Sequence, residues 1–318
     1  MQQSWLDLRV VSRRTEAEGI IGLVLARPDG GALPPFTAGA HIDVEAGPDL
    51  IRQYSLCNDP RERDHYEIAV LRDPASRGGS VAVHDRFREG DPIRVGPPRN
   101  HFELQAVRST ALLIAGGIGI TPLLCMAEQL AATGAPFSLH YCTRTPARTA
   151  FRERLARAPF ADRIVFHFDD GPDAQRFNPG ALFTGAAAGT DAYVCGPSAF
   201  IDWVHTAAAE AGFPGENLYR EYFAGDTSSG AAGDTPFLLR IASTGETIEV
   251  GANESAAKAL ARHGIEVPVS CEQGICGTCI TRVLEGEPDH RDLLMIDGND
   301  EFTPCCSRAL SPALVLDL

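Results

Sequence analysis

The sequence predicts a multidomain protein: a small antiparallel β-barrel, an α/β domain on a parallel sheet, then a small α+β domain. Three observations predict it. Residues 1–104 hold short strand-like runs between Gly, Pro and Asp clusters, the pattern of a small barrel. The middle alternates apolar strands with helical segments, which indicates a parallel sheet covered on both faces. A Gly-, Ser- and Asp-rich stretch at 224–236 then sets off a cysteine-bearing segment and reads as a flexible linker. A length of 318 residues suits two or three domains, and 44% apolar with 22% charged residues is ordinary globular composition.

The expected barrel strands are 7–11, 20–26, 41–45, 51–57, 66–71 and 91–95, punctuated by turns such as Pro28-Asp29-Gly30-Gly31. A short helix-like run occupies 81–87. In the middle, 111–115 is a continuous apolar strand that turns through Gly116-Gly117-Ile118-Gly119-Ile120-Thr121-Pro122 into a helix reaching 130. Strand 138–142, helix 149–157, strands 164–168 and 192–195 and helix 198–211 follow. The last segment opens with a hairpin, 237–242 and 247–250, turned by Ser243-Thr244-Gly245-Glu246. A helix near 255–263 and strands 280–284 and 314–316 complete a small sheet. No internal repeat is visible.

Bulk properties exclude some classes. A net charge of −14 argues against nucleic-acid binding, which needs a basic surface. The uncharged stretch 111–127 falls short of the ~20 residues of a membrane span and is broken by glycines and Pro122. The first residues lack a basic region followed by an apolar one, so no secretory leader and a cytoplasmic location are expected.

The chemistry is concentrated in Cys271-Glu272-Gln273-Gly274-Ile275-Cys276-Gly277-Thr278-Cys279, with Cys305 downstream. C-x4-C-x2-C plus a distant fourth cysteine is the ligand spacing of a plant-type [2Fe–2S] cluster. Gly274 and Gly277 let the backbone wrap closely. Zinc sites more often use two paired motifs. The remaining cysteines, Cys57, Cys125, Cys142, Cys195 and Cys306, are expected to be mostly free thiols.

Upstream motifs supply candidate partners for such a cluster. Arg52, Tyr54 and Ser55 end a strand with residue types that suit a flavin: a cation for phosphate, a ring to stack and a hydroxyl for the ring edge. A salt-bridged strand arginine is the plainer reading. Gly78, Gly79 and Ser80 open the 81–87 helix and expose N–H groups to a phosphate, or form a simple surface turn. Gly116, Gly117 and Gly119 follow a buried strand and open a helix, which favours a dinucleotide pyrophosphate, although the spacing is not G-x-G-x-x-G. Cys195, Gly196 and Pro197 end a strand of the same sheet, where such folds bind ligands, and Cys195 could contact a nicotinamide. Asp169 and Asp170 end another strand, suited either to ribose hydroxyls or to a solvated turn. Arg144 could instead meet a 2′-phosphate.

Arg52–Leu56, Gly78–Ser80, Gly116–Pro122, Cys195–Pro197 and the cysteine motif, in that order, resemble the phthalate dioxygenase reductase family, within the ferredoxin reductase-like superfamily. The resemblance covers essentially the whole chain. It implies an FMN-binding barrel over 1–104, an NAD-binding α/β domain over 105–223, a linker over 224–235 and a β-grasp [2Fe–2S] ferredoxin domain over 236–318. By the same resemblance, Arg52, Tyr54 and Ser55 hold the flavin together with the backbone of Ala69, Val70 and Leu71. Gly78, Gly79 and Ser80 hold the FMN phosphate with Thr121 close by, and Phe223 covers the flavin ring. The family ending C-x-S-R-A makes Cys305 the fourth ligand beside Cys271, Cys276 and Cys279. Adjacent side chains of an extended segment point opposite ways, so Cys306 should not replace it.

The resemblance implies an NADH-dependent reductase that feeds a terminal oxygenase, most often Rieske-type, through FMN and the cluster. Ser55 and Cys195 are the expected catalytic contacts. A cytochrome P450 or another oxygenase is the alternative partner, and a redox-sensing module is a distant third reading. A monomer is expected. Glu272, Glu285, Glu287, Asp289 and Asp292 suggest steering toward a basic patch on the oxygenase, or plain solubility.

Overall fold

The computed structural model describes residues 5–48, 50–73, 78–223, 234–269, 272–275, 277–294 and 298–318. The chain divides into two compact units, Met1–Glu221 and Tyr222–Leu318.

The first unit begins with β1 (Leu6–Ala17), β2 (Ile20–Ala26), β3 (His41–Gly47), β4 (Leu50–Ser55), β5 (His65–Leu71), α1 (Gly79–Arg86) and β6 (Pro92–Val95). The strands form one sheet in the order β4-β3-β6-β1-β2-β5, with antiparallel pairing throughout the registers. A bridge between Leu56 and Ile68 joins the two ends of that order, and the Cys57 N–H donates to Glu67 O at 2.9 Å. Closing the sheet in this way removes its open edges. Alternation is plain along early β1, where Leu8 and Val10 are buried between exposed Asp7, Arg9 and Val11. The strand runs well past its expected end because Ser12–Ala17 pairs with β2 without any apolar alternation to reveal it.

The unit continues through β7 (Ala111–Gly116), α2 (Ile120–Thr133), β8 (Phe137–Thr143), α3 (Arg152–Arg157), β9 (Ile164–Phe168), α4 (Pro179–Thr184), β10 (Asp191–Gly196), α5 (Ser198–Glu210) and β11 (Leu218–Tyr222). The sheet order is β11-β10-β7-β8-β9, and β10, β7, β8 and β9 are mutually parallel. Both faces are covered, so β7 and β10 are buried along their whole length and are apolar apart from the initial Asp191. Asp191 is itself paired with Arg108 at the strand's entry. The expected helix 149–157 is shorter, because Phe151 sits at φ 57° and delays the helical turn until Arg152. Arg154 of α3 reaches back to the barrel, donating to Glu67 at 2.7 Å and to Glu128 of α2 at 3.1 Å. The barrel and the α/β domain therefore share an ion-pair network inside one unit.

The second unit holds β12 (Phe237–Ile241), β13 (Thr247–Val250), α6 (Ala256–Arg262), β14 (Thr281–Glu285), β15 (Pro288–Asp289), β16 (Glu301–Phe302), β17 (Arg308–Ala309) and β18 (Ala313–Leu316). Its main sheet runs β13-β12-β18-β14-β16, with β12 and β18 parallel and the β12–β13 and β14–β18 pairs antiparallel. Phe237, Leu239, Ile241, Ile248, Val250, Leu314 and Leu316 pack with Ala259 and Leu260 of α6 into one core. Each such buried aliphatic or aromatic side chain contributes about 1.5–3 kcal/mol. Among the described residues no helix is long and apolar enough to cross a membrane.

Candidate functional site

Arg52, Tyr54 and Ser55 lie on β4, and Ala69, Val70 and Leu71 end β5. Ser55 is buried, as are Ala69 and Val70, whereas Leu71 is 40% exposed. Burial raises the Tyr54 phenol well above its ordinary value, against the pull of the Arg52 charge.

Helix α1 starts at Gly79 behind Gly78, whose φ of 84° few side chains adopt. No side chain caps this terminus among the described residues, and a helix start of this kind presents backbone N–H donors. Arg52 lies directly over it: a Cβ built on Gly79 would sit 2.6 Å from Arg52 Nε. The glycine is what lets a guanidinium and a helix N-terminus share one spot, an arrangement suited to a phosphate. Ser80 accepts from the Asp73 N–H at 3.1 Å, tying the approach segment to the helix. His84 Nε2 meets Val70 O at 2.9 Å and fixes α1 against β5; burial lowers the basicity of this imidazole.

The turn 117–119 after β7 approaches β5 of the barrel, so the two candidate sites adjoin. Its glycines divide by duty. A Cβ on Gly119 would collide with the Cys195 carbonyl and lie 2.6 Å from Gly196 N. Gly116 packs against Phe200 and Gly196. The two motifs are therefore halves of one junction at the carboxyl ends of β7 and β10. Gly117 differs: its φ is 55°, and nothing lies within 4 Å of where a Cβ would be. The Thr121 hydroxyl donates to Ile118 O at 3.1 Å and is buried, so it braces this turn.

Asp169 and Asp170 are exposed at the end of β9, and their N–H groups donate to Thr143 O and Arg144 O at 3.1 and 3.2 Å. Both carboxylates and exposed Arg144 thus stand at adjacent strand ends. Pro197 caps α5, and Cys195 is fully buried. Burial, followed by the charge of Glu221, pushes the Cys195 thiol far up. Glu221 was not singled out by its sequence. Among the described residues its Oε2 is buried without a hydrogen-bond partner, and burial pushes its carboxyl up to about 8. The available signal was a carboxylate two residues before Phe223, which directly follows β11.

Cys271 and Cys276 lie outside the described residues. Cys279, Cys305 and Cys306 form their own buried group, apart from the apolar core of the second unit. Glu272, Gly274 and Gly277 all have positive φ, a left-handed backbone that turns the chain at each of these residues. A group of buried thiols beside a loop turned in this way fits a cluster held by thiolates. One expectation needs correcting. Residues 304–306 form a turn, with the Cys306 and Ser307 N–H groups both donating to Thr303 O, so alternation does not separate Cys305 from Cys306. Charge steering is narrower than expected too: the Asp292 side chain is 1% exposed and Asp289 is paired with Arg291 at 2.7 Å. Glu285 and Glu287 remain exposed.

Two family models match the chain: the oxidoreductase NAD-binding domain over residues 113–206 and the 2Fe-2S iron-sulfur cluster binding domain over 239–310. The chain is 52% identical to a vanillate O-demethylase oxidoreductase of Pseudomonas sp. (strain HR199 / DSM 7063), covering 98% of this chain and all of that protein. It also matches the structure of a phthalate dioxygenase reductase, described as modular for electron transfer from pyridine nucleotides to [2Fe–2S]. That match has a TM-score of 0.78 and 39% identity, over 99% of this chain and 98% of the other. The chain belongs to the phthalate dioxygenase reductase family. Members are NADH-dependent flavin iron–sulfur oxidoreductases, and FMN, NADH and a [2Fe–2S] cluster are the cofactors. A third similarity, with a TM-score of 0.85 and 35% identity, is to an intact type IV self-sufficient cytochrome P450 monooxygenase, covering 99% of this chain and 41% of that one.

Proposed function

We propose that this chain is the reductase component of a Rieske-type aromatic oxygenase or demethylase system. It passes electrons from NADH through FMN and its own [2Fe–2S] cluster to the oxygenase. FMN supplies what no side chain can, accepting electrons as a hydride and releasing them singly. In this reading Arg52 and the N–H groups after Gly78 bind the FMN phosphate, with Ser80 supporting the loop. Tyr54, Ser55 and the end of β5 face the ring, and Phe223 covers it. Gly117 gives the pyrophosphate room, while Gly116, Gly119 and Gly196 hold the junction together. Asp169 and Asp170 take the adenosine ribose and disfavour a 2′-phosphate. Cys195 and Glu221 border the nicotinamide, and Cys271, Cys276, Cys279 and Cys305 ligate the cluster. The domains run 1–104, 105–223 and 236–318, joined by a linker at 224–235, in a monomeric cytoplasmic protein.

The observation that carries this reading is the convergence in one unit of the Arg52–Gly79 cradle and the Gly119–Cys195 junction, with β5 beside both. The test is coupled turnover. With NADH, the purified chain should drive product formation by a purified Rieske-type oxygenase partner. Failure there, with turnover of a P450 instead, would favour the second reading, which the P450-fused relative supports. Extraction of FAD in place of FMN would overturn the flavin assignment.

A further inference from the structure

We propose that Asp292 is a positioning residue of the cluster: a buried anion that clamps the fourth-ligand turn and holds the cluster's reduction potential down. The proposal rests on the [2Fe–2S] reading above. The Asp292 side chain is 1% exposed. Its Oδ2 accepts from Thr303 Oγ1 at 3.0 Å and from Ser307 Oγ at 3.3 Å, and its Oδ1 accepts from the Leu294 N–H at 3.1 Å. Two buried hydroxyls and one backbone N–H therefore converge on this carboxyl group.

Those contacts reach the cysteines by short paths. Thr303 and Ser307 are fully buried, with their hydroxyls 2.6 Å apart. The Thr303 carbonyl receives the N–H groups of Cys306 and Ser307 at 3.1 and 2.9 Å, so Thr303 sets the turn bearing Cys305. Its hydroxyl also lies 3.3 Å from Cys306 Sγ. On the other side, a Cβ on Gly274 would come 2.8 Å from Asp292 Cα and 2.6 Å from Cys306 Sγ. The Leu293 N–H donates to Gly274 O at 2.9 Å. Asp292 therefore touches both the segment between Cys271 and Cys276 and the turn that presents Cys305.

Among the described residues the His290 ring is the facing group that can offset its charge. Arg291 turns to Asp234 at 2.8 Å and Asp289 at 2.7 Å, and the nearer ring nitrogen of His290 stands 3.6 Å away. A fixed negative charge in a buried, weakly screened place opposes the arrival of an electron nearby.

The test is Asp292→Asn in the full-length holoprotein, which keeps the shape and removes the charge. Iron and acid-labile sulfide should stay at the wild-type level, and an EPR-monitored redox titration should show the midpoint potential shifted positive. An unshifted potential with an intact cluster would overturn the proposal. Should the Asn variant fail to hold iron, Ser307→Ala keeps the charge but loosens the clamp. It should lose cluster to a chelator faster than wild type while its potential stays nearer the wild-type value. Unchanged chelator kinetics would then count against the clamp. Wild-type protein without any iron would be a failure of the cluster reading itself, visible before either variant is made.

Discussion

Gly119→Ala should cost stability rather than ligand affinity. The added methyl would meet the Cys195 carbonyl carbon and oxygen and lie 2.6 Å from Gly196 N. All three are backbone atoms in a buried junction, so no side-chain rotation relieves the overlap. Overpacking a tight interior costs roughly 1–3 kcal/mol, and a backbone collision belongs at the upper end, about 3 kcal/mol. For a folding unit of this size, each kcal/mol moves the melting temperature by roughly 2–4 °C, which gives a fall of about 6–12 °C. Release of FMN fluorescence on heating reports this unit directly. Gly117→Ala is the control. Its φ of 55° costs a side chain roughly 1–2 kcal/mol, but its surroundings are open. That variant should melt roughly 2–8 °C lower and lose NADH affinity more than Gly119→Ala does. If Gly119→Ala melts with the wild type, the close packing of the two strand ends is wrong.

Four further outcomes are expected. Cys305→Ser should abolish the cluster while FMN reduction by NADH persists, whereas Cys306→Ser should keep its iron; visible spectra and iron assays decide. Arg52→Ala should weaken FMN binding by about 10- to 150-fold, the equivalent of losing a charged hydrogen bond worth ~1.5–3 kcal/mol, as read by flavin fluorescence titration. Arg144→Ala should leave the preference for NADH unchanged in steady-state rates if, as proposed, Asp169 and Asp170 carry the discrimination; a large gain or loss of NADPH use would refute this. Glu221 holds its proton up to about 8 in the folded chain, against an ordinary value of 4.5. Its contribution to stability is therefore full below that ordinary value and is lost as pH rises through about 8. Urea melts should show wild type losing more stability than Glu221→Gln over that interval.

Much of the architecture was readable because burial imposes a period. Leu8 and Val10 alternate with exposed neighbours, and β7 and β10 are almost unbroken apolar runs. The second half of β1, 12–17, escaped because it is held by pairing with β2 rather than by an apolar face. Helix α4 is a single short stretch begun by the Asn178 cap, which accepts from the Ala181 N–H at 3.0 Å. β11 shows no alternation at all, since every residue in it is half-buried. At the site, the glycine motifs were legible as motifs, but their division into packing and open positions depends on where Cys195 and Phe200 lie in space. The same limit hid Glu221, whose chemistry comes from burial that no local pattern encodes. It also placed Asp292 among surface acids, when Thr303 and Ser307, distant in sequence, enclose it.

The cysteines carry a practical consequence. Cys57, Cys125, Cys142, Cys195 and Cys306, the five outside the expected ligand set, are all buried free thiols. Burial drives the Cys57, Cys125, Cys142 and Cys195 thiols away from the reactive thiolate form. A cysteine introduced at an exposed position, Asp162 in the first unit or Ser243 in the second, would then be an accessible thiol of the cluster-loaded protein. One dye could be attached to each unit in turn without deleting any native cysteine, and the distance between the units followed by energy transfer while NADH is consumed.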